Sequence, residues 1–261
     1  MIFIDRVFSE KKISTVMQKN VITVEFGTKI IDVSKIIFKF GHRRIPIVKK
    51  SIVSKKTIGI VTIMDILDAY LRGVSFENKI EDIMTRDFIY CYNDDKIEDV
   101  IRKFQFSRRG GFPVLDQRKN LVGIVTENDV IGFINEDSLK NKVKHFMTKK
   151  PFYLKKQKMS ESIKILVNTK YRKLPIVESN KIQGLLTDRI CLKEVINNSD
   201  LQRYNTDFCI KDLIYVNPED DIMKAINIMK EIKLGGIPVV EKEKLVGIIT
   251  ERDILDKIKF T

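Results

Sequence analysis

Histidine is nearly absent from the sequence, with only His42 and His145 among 261 residues. The two lie in different contexts, and nowhere do His, Cys and carboxylates recur at ligand spacing, so no metal site is expected. Cysteine is equally scarce. Cys91, Cys191 and Cys209 are odd in number and scattered, which fits reduced thiols and excludes a disulfide framework. No apolar run approaches the roughly eighteen residues of a membrane span, so no membrane partner is expected. The opening MIFIDRVFSEKK sets charges directly after a very short apolar start, unlike a secretory leader, and a cytoplasmic location is the expectation. A Gly-rich phosphate loop and a nucleophile elbow are also missing. Together these absences point away from an enzyme, with no catalytic residues to name, and toward a binding protein that requires no cofactor.

What is present is charge and apolar patterning. The chain is 43% hydrophobic and 32% charged, with a formal net charge of +13. That is enough apolar material for two compact bodies. The cations are spread through pairs such as Lys49-Lys50, Lys55-Lys56 and Lys149-Lys150, without a compact aromatic and basic stripe, so nucleic acid stands second as a partner. Abundant Lys, Ile and Glu are compatible with a heat-adapted source.

The informative feature is repetition. GIVTIMDILDAY (59–70), GIVTENDVIGF (123–133), GLLTDRICLKEV (184–195) and GIITERDILDKI (247–258) each carry Gly followed three residues later by Thr62, Thr126, Thr187 or Thr250. Three of them add Asp65, Asp129 or Asp253 three residues further on, and the third copy has Ile190 there. Thr and Asp at this spacing form a capping box at a helix start, which by itself explains the pattern.

Upstream of each copy stand RRIPIV, GGFPVL, RKLPIV and GGIPVV, each placing a proline (Pro46, Pro113, Pro175, Pro238) at a strand start, where a missing amide does least harm. Before these come helices with apolar residues at three and four spacing, such as IIDVSKIIFKF and IMKAINIMKEI. Pro218 is expected to open the last of them. Earlier still are short strands, VITV, FIYC, PFYL and LIYV, and lead-in turns, KISTVMQ, KIEDIMT, KVKHFMT and IKDLI. The repeat is therefore lead-in, strand, helix, strand, strand, helix, about sixty residues long. This predicts an α/β (α+β) fold of small sheets covered by helices. Repeats one and three have basic residues before the strand proline and repeats two and four have glycine pairs, which suggests a duplicated two-repeat module. One repeat alone buries too little surface to be stable, so repeats one and two are expected in one globule and three and four in the other.

The pattern strand, helix, h-P-V and G-h-h-T-x-x-D, with the lead-in IEDIMT, resembles the cystathionine beta-synthase (CBS) domain. The resemblance runs in four copies, at 11–72, 78–135, 141–197 and 208–259, with modules at 1–137 and 138–261. Four such domains and nothing else is similar to the gamma subunit of AMP-activated protein kinase and to stand-alone archaeal proteins. The resemblance implies paired domains (Bateman modules), two modules forming a flat disc, and adenosine nucleotides in clefts between paired domains.

Carried onto this sequence, the family's motif makes Asp65, Asp129 and Asp253 the ribose ligands, since a carboxylate accepts two hydrogen bonds from a vicinal diol. Thr62, Thr126, Thr187 and Thr250 would offer hydroxyls to ribose or phosphate, where helix-start amides favour an anion. Ile190 does neither job, and the third site is expected to be empty or altered. His42, Arg43, Arg44, Arg172 and Lys173 resemble the family's phosphate cations, with Arg108 and Arg109 as further candidates. Repeat four is poorer there, with Lys233 followed by Leu234. Gly111 and Gly236 would let a flat adenine ring approach the backbone, or else mark a strand-start bulge. Thr23, Tyr90, Tyr153 and Tyr215 occupy equivalent first-strand positions; Thr23, Tyr90 and Tyr215 are named for the adenine pocket, although for the tyrosine rings core packing is the better expectation.

Two functions follow. One is a regulatory or energy-sensing protein that binds AMP, ADP or ATP and changes affinity for a separate effector protein, or changes its own assembly, for instance as a homodimer. The other is an interaction protein using its basic surface on nucleic acid or an acidic partner. A further adenosyl ligand, S-adenosylmethionine, ranks below the phosphorylated ones because its positive charge suits Arg43 and Arg44 poorly.

Overall fold

The structure, a computed structural model, describes residues 2–4, 6–50, 55–134, 141–232 and 234–260. The N-terminal β1 (Ile2–Ile4) and α1 (Arg6–Ser9) precede repeat one, which contributes β2 (Val24–Glu25), α2 (Ile30–Phe40), β3 (Arg44–Lys50), β4 (Lys55–Thr62) and α3 (Ile63–Leu71). Repeat two contributes β5 (Cys91–Tyr92), α4 (Ile97–Ser107), β6 (Gly111–Leu115), β7 (Leu121–Thr126) and α5 (Glu127–Ile131). Repeat three follows with β8 (Thr148–Lys149), α6 (Met159–Thr169), β9 (Lys173–Glu178), β10 (Lys181–Thr187) and α7 (Asp188–Ile196). Repeat four has α8 (Ile222–Ile232), β11 (Gly236–Glu241), β12 (Lys244–Thr250), α9 (Glu251–Leu255) and β13 (Ile258–Phe260). The mixed α/β fold of four small sheet-and-helix repeats is the one the sequence predicts.

The first helix of each repeat follows its apolar stripe. In α2 the buried residues are Ile30, Val33, Ser34 and Ile37, and Ser34 is accommodated because its hydroxyl donates to the Ile30 carbonyl at 2.7 Å. Gly41, in the left-handed conformation at φ 73°, ends the helix. The first strands are shorter than expected. Pairing begins only at Val24 and Cys91, and at single bridges from Leu154 and Val216. The reason is the proline: Leu154 donates to the Pro175 carbonyl at 2.8 Å and accepts from Val177 at 2.8 Å, but the preceding rung would need an N–H that proline lacks. Pro218 does not open a helix; it lies in the turn before α8, and its carbonyl accepts from Lys144 at 3.0 Å.

Two compact units divide the chain, and they are not the consecutive halves expected. One comprises Met1–Val21, Ile89–Pro151 and Ile214–Thr261, hence repeats two and four; the other comprises Ile22–Phe88 and Phe152–Leu213, hence repeats one and three. The physical reason is that each unit has its own core. Phe104, Phe112, Val125 and Ile131 of repeat two pack with Ile226, Ile237, Ile249 and Leu255 of repeat four. Ile37, Ile45, Ile66 and Leu67 of repeat one pack with Ile163, Leu166, Leu174 and Leu192 of repeat three.

The lead-ins are exchanged. Helices α2, α4 and α6 start without a side-chain cap, and a lead-in from elsewhere in the chain supplies the missing acceptor. Ile30 donates to Asn78, Ile97 to Lys11, Met159 to Arg203 and Ile222 to Asn141, each at 2.9 Å. Repeat one's lead-in thus caps the helix of repeat two and the reverse, and repeats three and four do likewise. The same segments extend the partner's last strand, through the bridges Gln18–Ile124, Ile60–Thr85 and Leu185–Ile210 and the β8–β12 pairing.

This exchange explains the repeated glycine. A Cβ on Gly59 would lie 2.5 Å from the Met84 sulfur, and one on Gly247 would lie 2.7 Å from that of Met147. Gly123 and Gly184 are covered in the same way by Met17 and Cys209. The lead-in sulfur occupies the space a side chain would need.

Candidate functional site

In every repeat the strand register brings the end of the last strand against the start of the preceding one. Thr62 lies opposite Arg44, Thr126 opposite Gly111, Thr187 opposite Lys173 and Thr250 opposite Gly236. The carbonyl before each of these partners, at Arg43, Gly110, Arg172 and Gly235, accepts from the first helical amide at 2.9 to 3.4 Å. Threonine, the acidic position and the basic or glycine pair therefore meet at one corner of each repeat.

The capping boxes form as expected. Asp65 Oδ2 accepts from the Thr62 amide at 2.7 Å and its hydroxyl at 2.6 Å. Asp129 does so from Thr126 at 2.7 Å each, and Asp253 from Thr250 at 2.8 and 2.6 Å. Repeat three keeps half of the box, with the Ile190 amide donating to the Thr187 hydroxyl at 3.2 Å. Partial burial pushes the Asp253 carboxyl above its ordinary range, opposed by the Thr250 and Thr148 hydrogen bonds.

Two lead-in residues that the motif did not single out reach these carboxylates. Gln18 Nε2 donates to Asp129 Oδ1 at 2.8 Å, and Thr148 Oγ1 donates to Asp253 Oδ1 at 3.0 Å. In repeat three the equivalent lead-in residue is Ile210, so the polar pair is replaced as a pair by Ile190 and Ile210.

The cations divide by environment. Lys173 is 7% exposed and so is not one of the chain's solvated lysines, and His42, Arg43, Arg44 and Arg172 are partly buried. Arg108 and Arg109 are exposed after the end of α4, with Arg108 in the left-handed conformation. They belong to the unit of repeats two and four, whereas the other candidates belong to that of repeats one and three. Lys233 lies outside the described residues.

Two further arginines, both missed from the sequence, hold the corners. Arg189 donates to the carbonyl of Gly41, next to His42. Its repeat-four equivalent Arg252 donates to the carbonyls of Phe104 and, at 3.1 Å, Arg109. Arg252 also pairs with Glu127 at 2.5 Å, and Asn128 donates to Glu251 at 2.8 Å. Glu127 and Glu251 are buried. The only available signal was that both arginines stand two residues after the motif Thr.

Gly111 and Gly236 are buried strand residues, and Gly235 before the latter takes φ +58° against the Glu251 carboxylate. Thr23 and Tyr90 are partly buried, and the Tyr90 ring meets Tyr92 edge-on at 5.4 Å. Core packing, expected for the tyrosines, does not hold for Tyr153 and Tyr215, which are 46% and 51% exposed. Each directly precedes a buried residue, Leu154 or Val216, and strand alternation turns the ring outward. Among the described residues no group of His, Cys, Asp and Glu is arranged to hold a metal ion, and no helix is long and apolar enough to cross a membrane.

Fold and corner together define a protein of four tandem α/β repeats, each carrying one candidate ligand corner. The CBS domain family profile matches residues 13–72, 80–136, 143–197 and 206–259, and the chain belongs to that family. It is similar to the uncharacterized protein MJ1225 of Methanocaldococcus jannaschii, 24% identical over 268 residues that cover 91% of this chain and 95% of the relative. An uncharacterized 33.4 kDa protein of Thermofilum pendens is 25% identical over 264 residues, covering 90% of this chain and 87% of its own. The crystal structure of MJ1225, proposed to be an archaeal homolog of g-AMPK, superposes with a TM-score of 0.86 at 21% identity, over 94% of this chain and 98% of that one. A conserved uncharacterized protein of Pyrococcus horikoshii gives a TM-score of 0.64 at 17% identity, with the same coverage of both chains.

Proposed function

We propose that this protein is a regulatory ligand sensor that binds adenine nucleotides, AMP, ADP or ATP, and transmits ligand state to a separate effector. The observation that carries this is the corner itself. Asp65, Asp129 and Asp253 share one capped geometry at which a basic or a glycine pair converges. In these corners Asp65, Asp129 and Asp253 take ribose hydroxyls, while Arg43 and Arg44 at the corner of Asp65, and Arg172 and Lys173 at the corner of repeat three, take phosphate. Gly111 and Gly236, and Thr23, Tyr90 and Tyr215, each directly before the first pairing residue of its own repeat, are assigned to the adenine. Repeat three, with Ile190, lacks a ribose ligand.

Titration calorimetry of nucleotide-stripped protein tests this, with Asp65→Asn, Asp129→Asn and Asp253→Asn as variants. Asparagine keeps an acceptor for the threonine cap and removes the charge. Loss of binding sites one by one is the expected result; undiminished AMP, ADP and ATP binding in the triple variant refutes the assignment.

The second reading, a basic surface for nucleic acid, is favoured by one patch. Phe106, 86% exposed, stands beside exposed Arg108 and Arg109, a combination suited to stacking and phosphate contact. A salt-sensitive nucleic-acid shift that survives the triple variant and disappears on Arg108→Ala with Arg109→Ala supports that reading.

A further inference from the structure

Resting on the assignment of Asp129 and Asp253 as ribose ligands, the bonds already made by these carboxylates have a consequence for how a diol is captured. A carboxylate offers about four acceptor positions, two on each oxygen. At Asp129 three are filled, two on Oδ2 by Thr126 and one on Oδ1 by Gln18. Asp253 is filled in the same way by Thr250 and Thr148. One position remains at each, and a vicinal diol donating through both hydroxyls needs two. The Thr amide and hydroxyl are fixed by the helix start. Gln18 and Thr148 are exposed, and their freed side chains return to water at little cost.

We propose that Gln18 and Thr148 compete with the second ribose hydroxyl, so that a ligand captured through both hydroxyls releases the lead-in side chain. The lead-in backbone stays in place, since Gln18 and Ile124 exchange two backbone hydrogen bonds of 2.9 Å. The lead-in side chain of repeat one thereby reports diol occupancy at repeat two, and that of repeat three reports repeat four. A ligand with a single ribose hydroxyl fits the remaining position and releases nothing. Repeat three, with Ile190 at the acidic position and Ile210 at the lead-in position, has neither the acceptor nor the competitor.

The test is calorimetric titration of the full chain with AMP and with 2′-deoxy-AMP, in a background of Asp65→Asn and Asp253→Asn that leaves Asp129 alone. Gln18→Leu is expected to tighten AMP by about 2- to 10-fold, equivalent to one net hydrogen bond, and to leave 2′-deoxy-AMP unchanged, so the ratio of the two affinities widens. Thr148→Val repeats the comparison at Asp253 in the Asp65→Asn, Asp129→Asn background. AMP binding that weakens in Gln18→Leu with an unchanged ratio overturns the proposal and makes Gln18 an orienting residue of Asp129. AMP binding that survives Asp129→Asn in the same background, or absent binding in every form, overturns the ribose assignment and the competition with it.

Discussion

Replacing Gly123 with alanine tests whether the exchanged lead-in determines the repeated glycine. The new methyl would overlap the Met17 sulfur and lie 3.0 Å from its Cγ and 3.1 Å from the Gln18 carbonyl. Overpacking of this kind costs about 1–3 kcal/mol, and in a chain of this size about 2 kcal/mol lowers Tm by roughly 4–8 °C. Met17→Ala alone is destabilising by about 2–3 kcal/mol through the lost packing. Because both changes act on the same space, the double variant should be more stable than the sum of the singles predicts, by roughly 1–2 kcal/mol. Gly184→Ala is the control. Its methyl would stand 2.9 Å from the Ile210 carbonyl and 3.1 Å from the Cys209 Cβ, an atom that alanine retains, so Cys209→Ala should rescue it less than Met17→Ala rescues Gly123→Ala. Denaturant unfolding of the two cycles reads these differences. Strict additivity of Gly123→Ala and Met17→Ala would refute the steric pairing.

Other perturbations follow from buried charge and burial. The folded Asp253 carboxyl titrates above its unfolded value, so the native state binds the proton more tightly; its contribution to stability falls as pH rises from the ordinary carboxylate range through the raised pKa, and is level above it. Subtracting the stability–pH curve of Asp253→Asn from that of the wild type should isolate this fall, and a difference of the opposite slope would contradict it. Arg252→Met removes the guanidinium that stands 2.5 Å from Glu127, a carboxylate only 1% exposed, and should lower stability in chemical denaturation, much of the loss being recovered by adding Glu127→Gln. Burial pushes the Cys91 thiol up to about 12 and Cys191 still higher, while Cys209 is only half-buried and less raised. A thiol reagent followed by peptide mapping should therefore label Cys209 first, and labelling of Cys91 at an equal rate would show that the core opens readily.

What the sequence determined by itself was everything carried by short-range bonds. Period-three and period-four apolar spacing located α2, α4, α6 and α8, because burial of one helix face is written into consecutive residues. The Thr–Asp spacing located the capping boxes, because both partners sit on the same turn. The alternation of Arg43-Arg44 and Arg172-Lys173 with glycine pairs marked the candidate cations as repeat-equivalent positions before the strand proline, and the hairpin register then set Arg44 and Lys173 opposite the motif threonines. The same reasoning misplaced Pro218 and overextended the first strands, where a proline on the neighbouring strand removed the donor for one rung.

Only the tertiary structure decided which repeat docks on which. Four near-equivalent repeats offer similar apolar faces and similar lead-ins, so pattern alone cannot choose among the pairings. The choice depends on side-chain fit summed over a whole interface, and it joined repeats two with four and one with three. It also decided that Gln18 and Thr148 reach the outer oxygens of Asp129 and Asp253, and that Met17 covers Gly123. Arg189 and Arg252 brace the corners for the same reason. Each of these contacts joins residues far apart in the chain, Gln18 and Asp129 by 111 positions and Arg252 and Phe104 by 148, and no local periodicity records a contact at that range.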